Sequence, residues 1–498
     1  VRKARATVLI VAALAVAGAG TVLAAPRAGS AALSRERLTN GLEVVVAEND
    51  AVPLATVCVV FRGGAAAQKP ETAGLFHLYE HMLFDGNEKY PTQADFTAAI
   101  NRLGSPGWNG ATGREFIEYY LTVPADKLAE GVEFWSWAVR KPVFEAGKLE
   151  REKRVVISEI RGYHVDPDHV ADEGLESRIF ADYPERKNID GPEETVQGAT
   201  IAQLEEIRAG YYIPRNMALI VGGDVKAAEV FALARKFFGD WTGGPAPVIG
   251  RPPQGKFPQG IRLVYPDDQY YQGIAQSEIR WRGPDAALQP ADTYAADVLS
   301  FLLSSPAGRF KSELMKSGLG LYDPEYIGFG SPLTRDGGEF RFSAILRVDP
   351  ADGGVSVLGR NEALRKFVDA QLTRIAADPS AYFGAEALGK AVEKIIDRNL
   401  ISAEVASSYV TSTLAFWWAV ADPGRILGYE ANYRRIGWAD VAGVAKRYLE
   451  GAPSATLLRI REDAYRSDVR SAQDEAELGY AELRKDNAFW WQWKGATK

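Results

Sequence analysis

The stretch His77-Leu78-Tyr79-Glu80-His81 limits what this chain can fold into more than any other. Successive residues of an α-helix turn by about 100°, so positions 77 and 81 lie about 40° apart and Glu80 flanks them. Two imidazoles and a carboxylate then reach one point, which makes a metal site with a base beside it. The fold must also deliver a further ligand from another segment, because a hydrolytic zinc usually takes three protein ligands and leaves one position for water. The whole chain holds only four histidines, so two of them at this spacing is a selective observation, and HxxEH is the inverted order of a helical zinc motif.

Carboxylates for the third position occur in Leu149-Glu150-Arg151-Glu152-Lys153-Arg154-Val155-Val156-Ile157-Ser158-Glu159-Ile160. Helical spacing puts Glu152 and Glu159 on one face, and either could complete the site. His164 and His169 follow in a Pro- and Asp-rich stretch and read as turn residues. Cys58 is the only cysteine, so the chain forms no internal disulfide, and its place in Thr56-Val57-Cys58-Val59-Val60-Phe61 reads as a buried strand. The metal ligands must be nitrogen and oxygen, which suits a catalytic site better than a Cys-rich structural one.

At 498 residues, with 46% hydrophobic and 25% charged, the chain reads as a globular protein of two or more domains. A net charge of -7 leaves no basic footprint, so nucleic acid is not an expected partner. Arg2, Lys3 and Arg5 precede an uncharged Ala- and Val-rich run from Val8 to Ala25, the pattern of an export leader over residues 1–25. The alternative is a retained anchor, since the run is just long enough to span a bilayer. Cleavage would leave an exported, periplasmic chain without membrane attachment.

Beyond the leader the pattern runs twice. The first half, 33–242, opens with a hairpin predicted over Leu42–Phe61, continues through the HxxEH helix, a strand Ile117–Val123 and the glutamate helix, and closes with a helix, Pro214 and a strand from Met217. A Gly- and Pro-rich linker follows at 243–260. The second half, 261–462, repeats strand, helical block and alternating strand (Phe340, Phe342, Ala344, Leu346), and also ends helix, Pro453, strand. It contains no histidine, so one metal centre per chain is expected. The tail, 463–498, ends in Phe489-Trp490-Trp491-Gln492-Trp493 and is expected to dock on the same chain, whereas Phe416-Trp417-Trp418 reads as core of the second half.

Ala73-Gly74-Leu75-Phe76-His77-Leu78-Tyr79-Glu80-His81-Met82-Leu83-Phe84-Asp85-Gly86, with Lys89-Tyr90-Pro91 after it, resembles the active-site helix of the pitrilysin/insulinase family of zinc metallopeptidases. Gly107-Trp108-Asn109-Gly110-Ala111-Thr112, Val123-Pro124-Ala125-Asp126, the glutamate helix, and Tyr211-Tyr212-Ile213-Pro214-Arg215-Asn216-Met217 match in family order. The resemblance implies an α+β fold of two homologous halves, each a mixed, mostly antiparallel sheet with helices, facing each other across a chamber. It implies one zinc held by His77, His81 and Glu159, with Glu80 as general base and Glu152 in support. Asn109 and Ala111 would lie on a strand whose edge receives an extended peptide substrate, and Tyr322 would also touch substrate. Met315 stands where the family carries an Arg. A homologous partner subunit would supply that cation, or Lys316 or Arg309 would replace it, or the enzyme would do without. The implied activity is hydrolysis of extended or unfolded peptides, and the alternative is a non-catalytic peptide-binding or assembly subunit.

Overall fold

The strands of this chain are apolar almost without interruption. β3 (Leu54–Arg62) and β6 (Met217–Gly223) bury nearly every residue, where a half-exposed strand would alternate. Such strands need cover on both faces, and the architecture supplies it. The computed structural model describes residues 33–249, 257–348, 355–421 and 423–493; the expected leader and part of the linker lie outside them. No helix among the described residues is long and apolar enough to cross a membrane.

With β1 (Leu33–Arg37), β2 (Glu43–Glu48), β4 (Gly107–Thr112) and β5 (Phe116–Pro124), these strands form a sheet of order β1-β2-β6-β3-β5-β4. β2 and β6 run parallel and the other neighbours antiparallel. The predicted hairpin does not form, because β6 lies between β2 and β3 and bonds to both. A strand with no polar face belongs at the centre of a sheet, and β6 takes that place at the expense of the local pairing.

The second sheet has the order β12-β7-β11-β8-β10-β9, from β7 (Arg262–Asp267), β8 (Ile274–Arg282), β9 (Gly328–Gly330), β10 (Glu339–Arg347), β11 (Ser454–Arg461) and β12 (Ala481–Glu482). Its core repeats the first, with β11 parallel to β7 and antiparallel to β8. Only the outermost place differs: β1 precedes the first sheet and pairs antiparallel, while β12 comes from the tail and pairs parallel to β7.

Each sheet packs its own helices on one face. In the first, Val57, Val59 and Phe61 meet Leu78, Met82 and Val132 from helices Leu75–Phe84 and Leu128–Arg140. The opposite faces are covered by exchanged segments. Val410, Leu414 and Trp418, from the second half, lie on Val45, Cys58, Val60 and Ile220 of the first sheet. In return, Val170 and Leu175 of the first-half helix Pro167–Ile179 lie on Leu263, Tyr265 and Leu457. Trp418 therefore fills the layer between the halves and not the core of its own half. Arg62 lies over its ring at 3.9 Å and donates to its carbonyl. The tail docks on the same exchanged helix, where an added Cβ at Gly174 would stand 2.5 Å from Leu483.

Candidate active site

The helix Leu75–Phe84 buries Leu75, Leu78, Tyr79, Met82 and Leu83 against the first core. That face fixes the rotation of the helix, and His77 and His81 are left on the partly open side. Its start is set by Gly74, at φ 87°, where a Cβ would lie 2.3 Å from the carbonyl oxygen of Asp190; no other residue fits there without strain. The N–H of Gly74 donates to Gln68 Oε1 at 2.7 Å.

The helix Ala146–Val165 packs alongside through Leu149, Val156 and Ile160. Its two glutamates meet His81 from different sides. Glu159 Oε2 lies 3.4 Å from His81 Nε2 and 3.7 Å from His77 Nε2. Glu152 Oε2 lies 3.4 Å from His81 Nδ1, the other ring nitrogen, and its Oε1 accepts from Arg151. Ligand-capable atoms of His77, His81 and Glu159 all stand within 4.8 Å of one another. A tetrahedral centre with bonds of about 2.1 Å places its ligand atoms about 3.4 Å apart, so this donor set fits a zinc ion. The electrostatics agree. Burial opposes a charge on His81, but Glu152 and Glu159 outweigh it and raise the imidazole to about 9, so positive charge is favoured at this point.

Glu80, on the same helix, is nearly buried, and its Oε2 accepts a hydrogen bond of 2.6 Å from Thr112 Oγ1. Thr112 ends β4, which among the described residues bonds only to β5 and forms the edge of the sheet. Asn109 and Ala111 are exposed along that strand. Between them Gly110 turns inward, and a Cβ there would meet Phe84 at 2.7 Å, so the absence of a side chain lets β4 lie against the helix Leu75–Phe84. Trp108 is exposed beside it, its ring centroid 5.4 Å from that of Phe84.

Two family models match. "Insulinase (Peptidase family M16)" covers residues 44–193 and "Peptidase M16 inactive domain" covers 198–378. The chain belongs to the insulinase family of peptidases, M16. Among relatives, a probable mitochondrial-processing peptidase subunit beta from Arabidopsis thaliana is 26% identical over 50% of this chain and 47% of its own. An uncharacterized zinc protease from Mycobacterium leprae is 31% identical over 43% of this chain and 47% of its own. The chain thus spans about half the length of the curated relatives it matches. In fold it is similar to a protease from Helicobacter pylori, at TM-score 0.69 and 20% identity over 86% of this chain and 99% of that one. The first half of the periplasmic protease PqqL from Escherichia coli gives TM-score 0.68 and 17% identity over 90% of this chain and 95% of that one.

Other residues expected at an M16 site lie in the second half. Tyr322 is exposed, with the Arg347 guanidinium 4.8 Å from its ring. Met315 packs partly buried on the second core, and Lys316 is exposed at the end of the helix Arg309–Met315. Arg309 pairs with Glu313 at 3.7 Å and lies over the ring of Tyr382. Among the described residues, the contacts of Arg309, Met315 and Tyr322 stay within their own half. His164 and His169 are helical and not turn residues, because Asp166 caps a new helix from Pro167 directly after the glutamate helix. The ring of His164 packs at a tilt against Phe489, centroids 4.2 Å apart, and His169 pairs with Asp190 at 3.2 Å. Thr112 and Gly110 both stand in the stretch that resembles the family, yet nothing in their spacing marks them as partners of Glu80 and Phe84; only the folded strand does.

Proposed function

We propose that this chain is a zinc-dependent endopeptidase or oligopeptidase of the M16 family that hydrolyses extended or unfolded peptides. The observation that carries this reading is the convergence of His77, His81 and Glu159 beside Glu80. His77, His81 and Glu159 would hold the ion, and Glu152 would fix His81 through Nδ1, a common role for a carboxylate behind a metal-bound imidazole. Zinc, when bound, supplies Lewis-acid polarisation and acidifies a water. Glu80 takes the proton of the attacking water on its carboxylate and delivers it to the leaving amine. Thr112 holds Glu80 from one side, so the carboxylate oxygen free of that bond turns to the water. The exposed edge of β4, with Asn109 and Ala111, would receive the peptide backbone as an added strand, which favours unfolded chains over any one sequence. Tyr322, exposed in the second half, would touch substrate, and a homologous partner subunit would supply the cation absent at Met315.

A second reading, a peptide-binding or assembly subunit of the same fold, is favoured by the relatives, several of which are mitochondrial-processing peptidase subunits. The Met315 position, where an Arg was expected, also fits a chain that works with a homologous partner. Export to the periplasm is proposed on the leader pattern, and it accords with the periplasmic protease PqqL among the structural neighbours.

The deciding experiment compares the wild-type chain with Glu80→Gln on a peptide library, with zinc content measured on both. Zinc near one per chain in both, with kcat lowered by about 10²–10⁴ in the variant, is the expected result. Wild-type protein that binds peptide but cleaves none, alone or with a homologous subunit, would establish the second reading and remove the first.

A further inference from the structure

We propose that Glu118 gives the peptide cleft a preference for Lys or Arg at one substrate position, the one that lies beside Ala111; the inference rests on the added-strand reading of β4. Glu118 stands on β5 directly across from Ala111 of β4. Side chains alternate along a strand, so Glu118 shares the sheet face of Asn109, Ala111, Phe116 and Tyr120, opposite the helix Leu75–Phe84. On that face the cover lent by the second half ends at β5. Phe116 and Tyr120 pack against it partly buried, with the ring centroid of Phe116 6.1 Å from that of Phe416, whereas Asn109 and Ala111 are exposed. Glu118, partly buried between Phe116 and Tyr120 in the strand, borders the open surface over the edge strand.

A carboxylate at such a border calls for a partner, and the chain supplies a poor one. Among the described residues its one hydrogen bond comes from the Cys58 thiol, at 3.8 Å, and no Lys, Arg or His pairs with it. Burial pushes its carboxyl up to about 7; the thiol pulls against that rise and the charge of Glu80 adds to it. A cation brought beside it draws the carboxyl into its ionised form and is held there.

A bound peptide brings that cation. Strands in a sheet lie about 4.8 Å apart, so a peptide added to β4 stands about 10 Å from β5. Ala111 intervenes with a methyl group only, and the four-carbon stem of Lys or the guanidinium arm of Arg crosses it to meet Glu118. The peptide residues on either side point to the other face. The next one on the same face comes beside Asn109, behind which stands Tyr120 and no acid. The preference is therefore confined to a single position. It lies close to the scissile bond, because Thr112, next to Ala111, bonds to Glu80.

The test scans Lys, Gln and Nε-acetyl-lysine through successive positions of one fluorescent peptide. Cleavage by the zinc-loaded full chain is read as kcat/KM, and binding to its Glu80→Gln variant as fluorescence anisotropy. At one position, and not at its neighbours, Lys should be favoured over both Gln and acetyl-lysine by about tenfold. In Glu118→Gln that ratio should fall to about one, and in Glu118→Lys the same position should favour Glu over Lys. Should either variant fail to fold, the comparison of Lys with acetyl-lysine on the wild-type chain carries the test, since it removes the charge and keeps the stem. Binding to Glu80→Gln with this preference, but no cleavage by the wild type, would keep the inference and remove the peptidase reading. Cleavage at equal rates for Lys, Gln and acetyl-lysine at every position, or a preference that survives in Glu118→Gln, would overturn the inference alone. No binding of any peptide would overturn it as well.

Discussion

Thr112 and Glu80 meet in a hydrogen bond of 2.6 Å that joins the edge strand to the helix bearing His77 and His81. On the proposed function Glu80 moves a proton, and a carboxylate with that task gains from a fixed orientation. Thr112→Val keeps the shape and removes the donor, so kcat should fall about tenfold with KM little changed, while Thr112→Ser should keep most of the rate. Steady-state kinetics at constant zinc content checks this, and an unchanged kcat in the valine variant would discard the role. The glutamates make a graded pair. Glu159 faces both imidazoles and Glu152 only the far nitrogen of His81. Zinc affinity measured by competition with a chelator should therefore drop most in Glu159→Gln and by about 10–100-fold in Glu152→Gln.

At the scale of elements, each half lends a helical segment to cover the other's sheet. Trp418 is buried in that layer, beneath Arg62 and against the sheet face lined by Cys58 and Val60. Removing a side chain of this size leaves a cavity between the halves. Trp418→Ala should cost about 3–5 kcal/mol, read as a lower urea midpoint. Loss of only a few tenths would mean that the halves do not depend on this segment. Gly222 belongs to the same layer, since a Cβ there would stand 2.5 Å from Val410. The exchange also ties the tail to the site region, because Leu483 and Phe489 bury against the helix that follows Glu159 in the chain.

At the scale of the molecule, the two halves are joined by a charge cluster in which Arg280 and Glu176 are buried and Asp172, Arg114 and Arg341 are partly exposed. Asp172 and Glu176 of the exchanged helix face Arg114 of the first half and Arg280 and Arg341 of the second sheet. Burial opposes the charge on Asp172, yet the three arginines hold its carboxyl well below the usual carboxylate range. Glu115 is the contrasting case. It accepts the backbone N–H groups of Arg335 and Asp336 across the junction, and burial pushes it up to about 7 despite Lys187, with the Asp336 carboxylate adding to the rise. A carboxyl raised from 4.5 to about 7 on folding stabilises the protein fully below pH 4.5 and loses that contribution as pH rises through 7. The change is worth about 3 kcal/mol at most. Glu115→Gln should flatten the fall in urea stability between pH 5 and 8 relative to wild type. Parallel pH profiles for the two proteins would contradict it.

The local chemistry was legible because covalent geometry fixes it: four residues of helix set His77 and His81 side by side, and seven residues set Glu152 and Glu159 on one face. The repeated strand and helix pattern also followed from hydrophobic periodicity. The sequence could not choose between the two glutamates, since that choice depends on how two helices about 75 residues apart in the chain slide against each other. Nor did it reveal β6 inserted between β2 and β3, because pairing order is a property of the assembled sheet. Strands apolar on both faces announced that cover was needed. Only the tertiary structure decided that the cover comes from the opposite half, since buried area has no address in sequence.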